Sequence, residues 1–504
     1  MICTDREAIA ALEVRVPAMN AYEIANIMKL AICMAAIAGL WLAYRYPESL
    51  RLQRIVDRGF VALAGLALVG YINFGFFHGG VGYIHTWEMF HYHLPSKYQD
   101  EIGYFGLYEA ALVADAESEA PYFDKVDYVR DLHTYSIVGR DKVLAASTIR
   151  ENFTAEGWSD FSRDVDFYKV RYPPERWKFL FQDHGYNAPP SRTLVTGSVS
   201  RILGDADQLS LYLIGLIDPI LLGLLLWVVY HTYGLRLAAL ATVLFGANML
   251  SEFIWIGGAF LRFDWLVLSG FGICAVRTER YGLAGALLGA ASMLRIFPVL
   301  FAAGVVLRGV FQYSESRIWH TRYTRFLVGI AASGLGMLAM TFLGMGGLDV
   351  WGDFVAKIGL HHGETSANRV GLFHLVGENS LLLFAARGAI LTAYLLSLRK
   401  LANDSQAAIL GGVLLFALGS LSCYYYAFLI FFLFWQSRRS LDFQCWLFFS
   451  LLFMTQIVVI GLRMSGWTQT LVPQAQLSFV GASLMILVSS VVLLNSVYRP
   501  ARSV

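Results

Sequence analysis

The sequence predicts an all-α polytopic membrane protein carrying a large, mostly helical loop domain on its outer face. Of its 504 residues, 57% are apolar and only 15% charged, against about a quarter charged in soluble domains. Apolar runs near the length that crosses about 30 Å of hydrocarbon recur along the chain. Lys and Arg are distributed unevenly between the connectors that join those runs.

The runs fall near 26–44, 59–77, 209–231, 237–255, 262–276, 281–294, 297–309, 326–343, 378–397, 406–421, 423–435, 443–461 and 476–496. They predict a bundle of about 11–13 membrane helices, a few of them short enough to be half-spans. With the Arg-rich connector 45–58 taken as cytoplasmic, connectors on that side hold 17 basic residues, Arg236, Arg277, Arg308, Arg399, Arg438 and Arg502 among them. The short connectors opposite hold five: Arg262, Arg295, Lys357, Arg369 and Arg463. Basic residues mark the cytoplasmic side. The N-terminus and the insert 78–207 are therefore expected outside, the C-terminus inside.

Four parts are expected in order. Residues 1–58 form an N-terminal segment with one extra span. Residues 59–110 supply the second span and the first outer loop, 111–207 an extracytoplasmic cap, and 208–504 a multi-span bundle with an outer loop at 344–377. The cap is not a linker: Trp158 and Trp177 sit among many Tyr and Phe, punctuated by YPPERW (172–177) and GYNAPPS (185–191). One sequon, Asn152-Phe153-Thr154, lies in it. A net charge of +2 gives no case for a nucleic-acid partner. Cys3, Cys33, Cys274, Cys423 and Cys445 form no CxxC pair, so neither a disulfide framework nor a zinc site is expected. Acids and bases mix through the N-terminal stretch, which is not a signal-peptide pattern.

Chemistry is expected in 78–108, a polar, His-bearing segment pinned to the end of an apolar run. Within IHTWEMFHYHL (84–94), a helical reading puts His85, Glu88 and His91 on one face and Trp87, Phe90 and Leu94 on another, toward lipid or the bundle. A carboxylate between imidazoles on a partly desolvated face suits a general base. The alternative is an aromatic belt with incidental polar residues. His85, Glu88, His91 and His93 could ligate a metal, but the spacing is not HExxH and no metal is expected. Membrane-edge charges are costly and tend to line sites; here they are Asp218, Glu252, Arg262, Asp264, Arg295 and Arg387. Arg295 stands just before Pro298, where a helix break frees backbone groups. With Arg262 it could hold an anionic headgroup; a structural pair of Asp264 with an Arg is the alternative. In the outer loop, Trp351, Phe354 and Ile358 fit an amphipathic surface helix. His361, His362, Glu364, Asn368 and Arg369 follow it. The run SCYYYAF (422–428) could line a sugar or isoprenoid groove, or be core.

These residues carry a family resemblance. The chain resembles GT-C superfamily glycosyltransferases, closest to glycosyltransferase family 87, the polyprenol-phosphate-mannose-dependent mannosyltransferases. Glu88, HYHL at 91–94 and Leu107-Tyr108 match the layout of that family's first outer loop. The block 252–309 is similar to its Gly-rich, Lys-x-x-Pro run, with Arg295 at the Lys position. Residues 350–372 resemble its Trp-x-x-Phe…His…Asn-x-x-Gly-Leu loop. Glu88 stands where the family has Asp, the insert 78–207 is long, and an extra span precedes it. The resemblance implies a GT-C-like bundle and an inverting transfer of a mannose-like sugar or pentose from a polyprenyl-phosphate donor. The acceptor would be a lipid or glycan on the extracytoplasmic side of a bacterial cytoplasmic membrane. Glu88 is the expected catalytic base. His85, His91, Tyr108, Arg262, Arg295, His361, His362, Asn368 and Arg369 are the expected substrate-binding residues. The expected partners are membrane lipid, the sugar donor and the acceptor, with no cofactor. The rival readings are a glycolipid transporter or flippase, which would show two similar halves, and a non-catalytic assembly subunit.

Overall fold

A computed structural model describes residues 20–78, 82–362, 368–377, 380–436, 441–465 and 471–498. Cys3, Glu364, Arg438, Arg439, Arg499 and Arg502 lie outside the described residues.

Two helices open the chain, α1 (Ala21–Arg45) and α2 (Leu50–Tyr71). The cap follows with α3 (Thr86–Lys97), α4 (Leu107–Ala116) and the antiparallel pair β1 (Tyr128–Arg130) and β2 (Ile137–Gly139). It ends with α5 (Ala155–Lys169), α6 (Pro174–Leu180) and α7 (Pro190–Leu203). The bundle then runs through α8 (Gln208–Tyr233), α9 (Leu235–Gly246), α10 (Asp264–Arg277), α11 (Tyr281–Leu294), α12 (Val299–Ser316) and α13 (Thr321–Gly344). The loop helix α14 (Asp349–His362) precedes β3 (Arg369–Val370), α15 (Leu381–Lys400) and α16 (Asp404–Leu418). The chain continues through β4 (Leu421–Ser422), a 3₁₀ helix (Cys423–Trp435), α17 (Phe443–Met464) and α18 (Leu471–Ser496).

Six of these helices are long and apolar enough to cross a membrane: α1, α8, α13, α15, α17 and the Leu477–Ser496 part of α18. This is the build of a polytopic, all-α integral membrane protein. Among the described residues, α9, α11, α16 and the 3₁₀ helix are apolar but shorter than these six, and other expected runs do not coincide with the helices that carry them. The run at 59–77 ends as helix at Tyr71, where Asn73 and Phe74 turn left-handed with φ of 49° and 58°. The run at 297–309 starts as helix only at Val299, after the break at Arg295–Pro298. The run at 423–435 is 3₁₀, whose rise of about 2.0 Å per residue carries it further than an α-helix of equal length. Side-chain caps start six of the described bundle helices: Asn20, Ser49, Asp207, Ser380, Asn403 and Asp442 each accept a first-turn N–H.

Two large apolar cores result among the described residues, beside a small cluster of Tyr92, Tyr104, Tyr186, Ala188 and Phe354. One fills the bundle. The other fills the cap and takes in Leu211 and Ile214 of α8 and Phe260 and Leu261 of the loop before α10. The cap is thus seated on the bundle through that loop. Fully buried Asp164 of α5 ties cap elements together, accepting from Lys97 Nζ at 2.6 Å, Tyr98 OH at 2.9 Å and the Ala206 N–H at 2.7 Å. Trp87, Phe90 and Leu94, expected toward lipid or the bundle, belong instead to the cap: Phe90 and Leu94 are in its core and Trp87 packs against it.

Candidate active site at the seam of cap and bundle

The sequence starts α3 with a histidine rather than a Ser or Asp. His85 Nδ1 accepts the Glu88 N–H at 3.4 Å, and its Nε2 donates to the Ile254 carbonyl at 3.1 Å. One turn on, His91 Nδ1 donates to the Trp87 carbonyl at 2.9 Å, and Nε2 accepts from Tyr108 OH at 2.7 Å. His85, His91 and Tyr108 were expected to bind substrate. Their polar atoms are engaged inside the protein, and what they fix is the pose of the helix that carries Glu88. His93 turns the other way, to Tyr168 OH at 3.1 Å, so the four residues considered as metal ligands do not converge.

Glu88 meets Arg262 across the seam. Its Oε2 lies 3.0 Å from Arg262 Nε, without the alignment of a hydrogen bond. Arg262 is held in place from both sides. Its guanidinium lies 4.4 Å from the centre of the Tyr92 ring and 5.3 Å from that of Tyr424, within cation–π range. Its backbone is fixed by Asp218, which accepts the N–H groups of Arg262 at 2.7 Å and Phe263 at 3.2 Å. Leu261, just before it, is left-handed at φ 49°, the kind of strain that functional sites retain.

Two more arginines reach the same place. Arg295 caps the end of α11 at the expected break and faces the Tyr425 ring at 6.0 Å. Arg192, fully buried on α7, lies 4.9 Å from the Tyr92 ring and 3.4 Å from Asp264, and donates to the carbonyls of Phe260 and Leu261. Close packing brings α7 there: a Cβ on Gly197 would sit 2.2 Å from the Ser96 carbonyl oxygen of α3. The three guanidiniums are near enough to repel one another. Five of their nitrogens, Arg192 Nε and Nη1, Arg262 Nη1, and Arg295 Nε and Nη2, are buried with no hydrogen-bond partner among the described residues. A buried donor left unpaired costs about 1–3 kcal/mol, so five together mark where an anion would be welcome.

Gly258 sets the register of this loop. It is left-handed at φ 67°, and a Cβ there would fall 1.9 Å from the Tyr83 carbonyl oxygen. The Gly258 carbonyl also accepts the His85 N–H at 3.1 Å. Gly258→Ala is expected to cost at least about 2 kcal/mol, from left-handed strain of about 1–2 kcal/mol plus the clash. Thermal melting of the purified chain checks this; an unshifted midpoint would mean the contact does not set the loop.

The remaining expected residues are spread out. His361 lies against the cap, its ring 5.0 Å from that of His184. His362 ends α14, and its side chain lies outside the described residues. Asn368 and Arg369 belong to a backbone pairing: the Asn368 carbonyl accepts the Cys423 N–H, and Arg369 pairs with Ser422. Arg387 donates to the Ala417 carbonyl at 3.1 Å. Glu252 forms a buried ion cluster with Lys29, at 3.6 Å, and Arg463. Sequence reasoning did not reach Arg192 or Tyr92. Arg192 does have a signal, an Arg in the first turn of a helix opened by Pro189-Pro190, but nothing local connects it to Arg262.

Comparison with known protein-family models, with curated protein sequences and with solved structures yields no match.

Proposed function

We propose that this chain is a membrane glycosyltransferase that moves a sugar from a polyprenyl-phosphate donor to a lipid or glycan acceptor, with inversion, on the extracytoplasmic side. One observation carries the reading: three buried guanidiniums with unpaired N–H groups stand beside a carboxylate, at the seam between a membrane bundle and a polar cap. A phosphodiester anchored in lipid is an anion that arrives at that depth. The resemblance to family 87 supplies the sugar.

In this reading the phosphate settles among Arg192, Arg262 and Arg295 and draws Arg262 from Glu88. Glu88 Oε2 takes the proton of the acceptor hydroxyl. The freed oxygen forms a bond to the anomeric carbon from the face opposite the phosphate. The carbon–oxygen bond to phosphate breaks with its electron pair, and polyprenyl phosphate leaves with the added negative charge. Preorganised cations act most where charge develops, which here is on the leaving phosphate.

The test uses the full chain in lipid nanodiscs with polyprenyl-phosphate mannose and polyprenyl-phosphate pentose. Mass spectrometry follows glycosylated acceptor and released polyprenyl phosphate. Consumption of a donor with a covalent product supports the reading. Movement of glycolipid across liposomes with no product would replace it with the transporter. Arg192→Met and Arg295→Met are each expected to weaken donor use about 10–100-fold, the value of a lost charge-assisted hydrogen bond of about 1.5–3 kcal/mol. Donor titrations of kcat/KM check this; a change under about threefold in both would remove the arginines from phosphate binding.

A further inference from the structure

A second set of polar atoms is left over on the cap side of Glu88. α14 passes against the cap and carries Lys357 and His361 one turn apart on one face. Lys357 is 0% exposed, and its Nζ has no hydrogen-bond partner among the described residues. Its nearest company is aromatic: the Tyr135 ring at 4.8 Å and the Phe105 ring at 5.5 Å. His361 Nδ1 is also buried with no hydrogen-bond partner among the described residues.

The surrounding charges come from five elements. Arg130 and Asp131 lie on and just after β1, Asp183 and His184 lie in the loop after α6, His91 is on α3, Arg369 is on β3, and His361 is on α14 itself. Asp183 is already engaged, by Trp87 Nε1 at 2.7 Å and the His184 N–H at 2.8 Å. Burial first, then repulsion from Arg130, pushes the Lys357 ammonium down to about 7. Burial first, then His184, pushes His361 down to about 4.

A buried amine with no acceptor is costly. A cation cannot relieve it beside Arg130. An anion can: it restores the ammonium, takes charge-assisted hydrogen bonds from Nζ, and accepts from His361 in its Nδ1–H tautomer. We propose that Lys357 and His361 form a second anion subsite, which takes a carboxylate or phosphate group of the acceptor in the seam between α14 and the cap. The word acceptor rests on the transferase reading; the anion subsite itself does not.

The experiment is an NMR titration of the full chain in detergent, labelled with 13Cε-lysine, with the Lys357 signal assigned by its loss in Lys357→Met. It is run in chloride, inorganic phosphate and acetate at equal ionic strength. In chloride, Lys357 is expected to titrate near 7. Its midpoint is expected to rise by about one unit or more in phosphate, in acetate or in both, as an anion beside a cation shifts it; exposed lysines such as Lys142 stay put. A rise in phosphate alone identifies a phosphate group, and a rise in acetate a carboxylate. No rise with either anion overturns the proposal, as does a Lys357 midpoint at the ordinary value in chloride. Repeating the series on Arg295→Met separates the two sites: a shift that persists there stands even if no donor is ever turned over.

Lys357→Met supplies a second readout. Between about 7 and the ordinary lysine value the unfolded chain holds a proton that the folded chain does not, so wild-type stability rises with pH through that window. Lys357→Met is therefore expected to melt above wild type below pH 7, with the gap narrowing as pH rises. Saturating anion should narrow the gap at pH 7. A gap that ignores both pH and anion would overturn the proposal.

Discussion

Glu88→Gln is expected to lower sugar transfer by about a thousandfold, within the range of about 10²–10⁴ that a positioned general base contributes. The amide fills the same volume but cannot take a proton. Arg262 keeps its two ring partners and its fixed backbone, so the fold survives at a modest cost. Glu88→Asp separates chemistry from geometry. It keeps the carboxylate and withdraws it by one methylene, and a misplacement of about 1 Å can cost about a hundredfold. The order wild type, Glu88→Asp, Glu88→Gln in kcat, with donor KM moved by less than about threefold, is the signature of a base rather than a binding group. Retention of transfer within about tenfold in Glu88→Gln would take the role from this residue.

The sequence made Glu88 legible because the signal was local. An acid soon after an apolar run, flanked by imidazoles at helical spacing, needs no knowledge of the rest of the chain. The same spacing misdirected the aromatic face. Periodicity says that Phe90 and Leu94 are covered; it does not say by what, and the cap covers them rather than lipid or the bundle. Arg295 was legible for a similar reason, since Pro298 announces a break at which its side chain stands clear of the helix ladder. Arg262 was placed beside it by connector order alone, and the two do meet across the Tyr424–Tyr425 pair. Asn368 and Arg369 read as substrate-binding loop residues because their backbone partners, Cys423 and Ser422, lie far along the chain. Arg192 and Lys357 were hidden for the same reason. Each becomes conspicuous only once the cap folds over it and leaves its nitrogens unpaired. The roles of His85 and His91 moved inward: their nitrogens close hydrogen bonds that orient α3, which a pattern of spacing cannot distinguish from ligand contact.

The bundle holds a charge cluster of the opposite kind, and it yields the largest expected loss of stability. Asp404, at the start of α16, is 5% exposed. Oδ1 accepts from Arg308 Nε at 2.6 Å and Tyr323 OH at 2.9 Å, and Oδ2 accepts from Tyr281 OH at 2.6 Å. Arg322 Nε lies a further 3.2 Å from Oδ2. The cluster thus joins α11, α12, α13 and α16. Asp404→Ala removes the acceptor that Arg308, itself 6% exposed, depends on, and breaking a buried pair in this way costs about 3–5 kcal/mol. Asp404→Asn, which keeps an acceptor but not the charge, should fall between. Arg308→Met combined with Asp404→Ala should recover part of the loss, because no unpaired charge remains buried. Denaturant or thermal unfolding of the purified chain reads all three. Both carboxylate oxygens of Asp404 are hydrogen-bonded and one nitrogen of its cluster, Arg322 Nε, has no hydrogen-bond partner among the described residues, whereas at the cap seam five arginine nitrogens have none. That difference in saturation is the physical ground for assigning one cluster to stability and the other to binding. A variant at Asp404 that lost activity while melting within about 1 kcal/mol of wild type, well short of the cost of a broken buried pair, would show that saturation does not separate them.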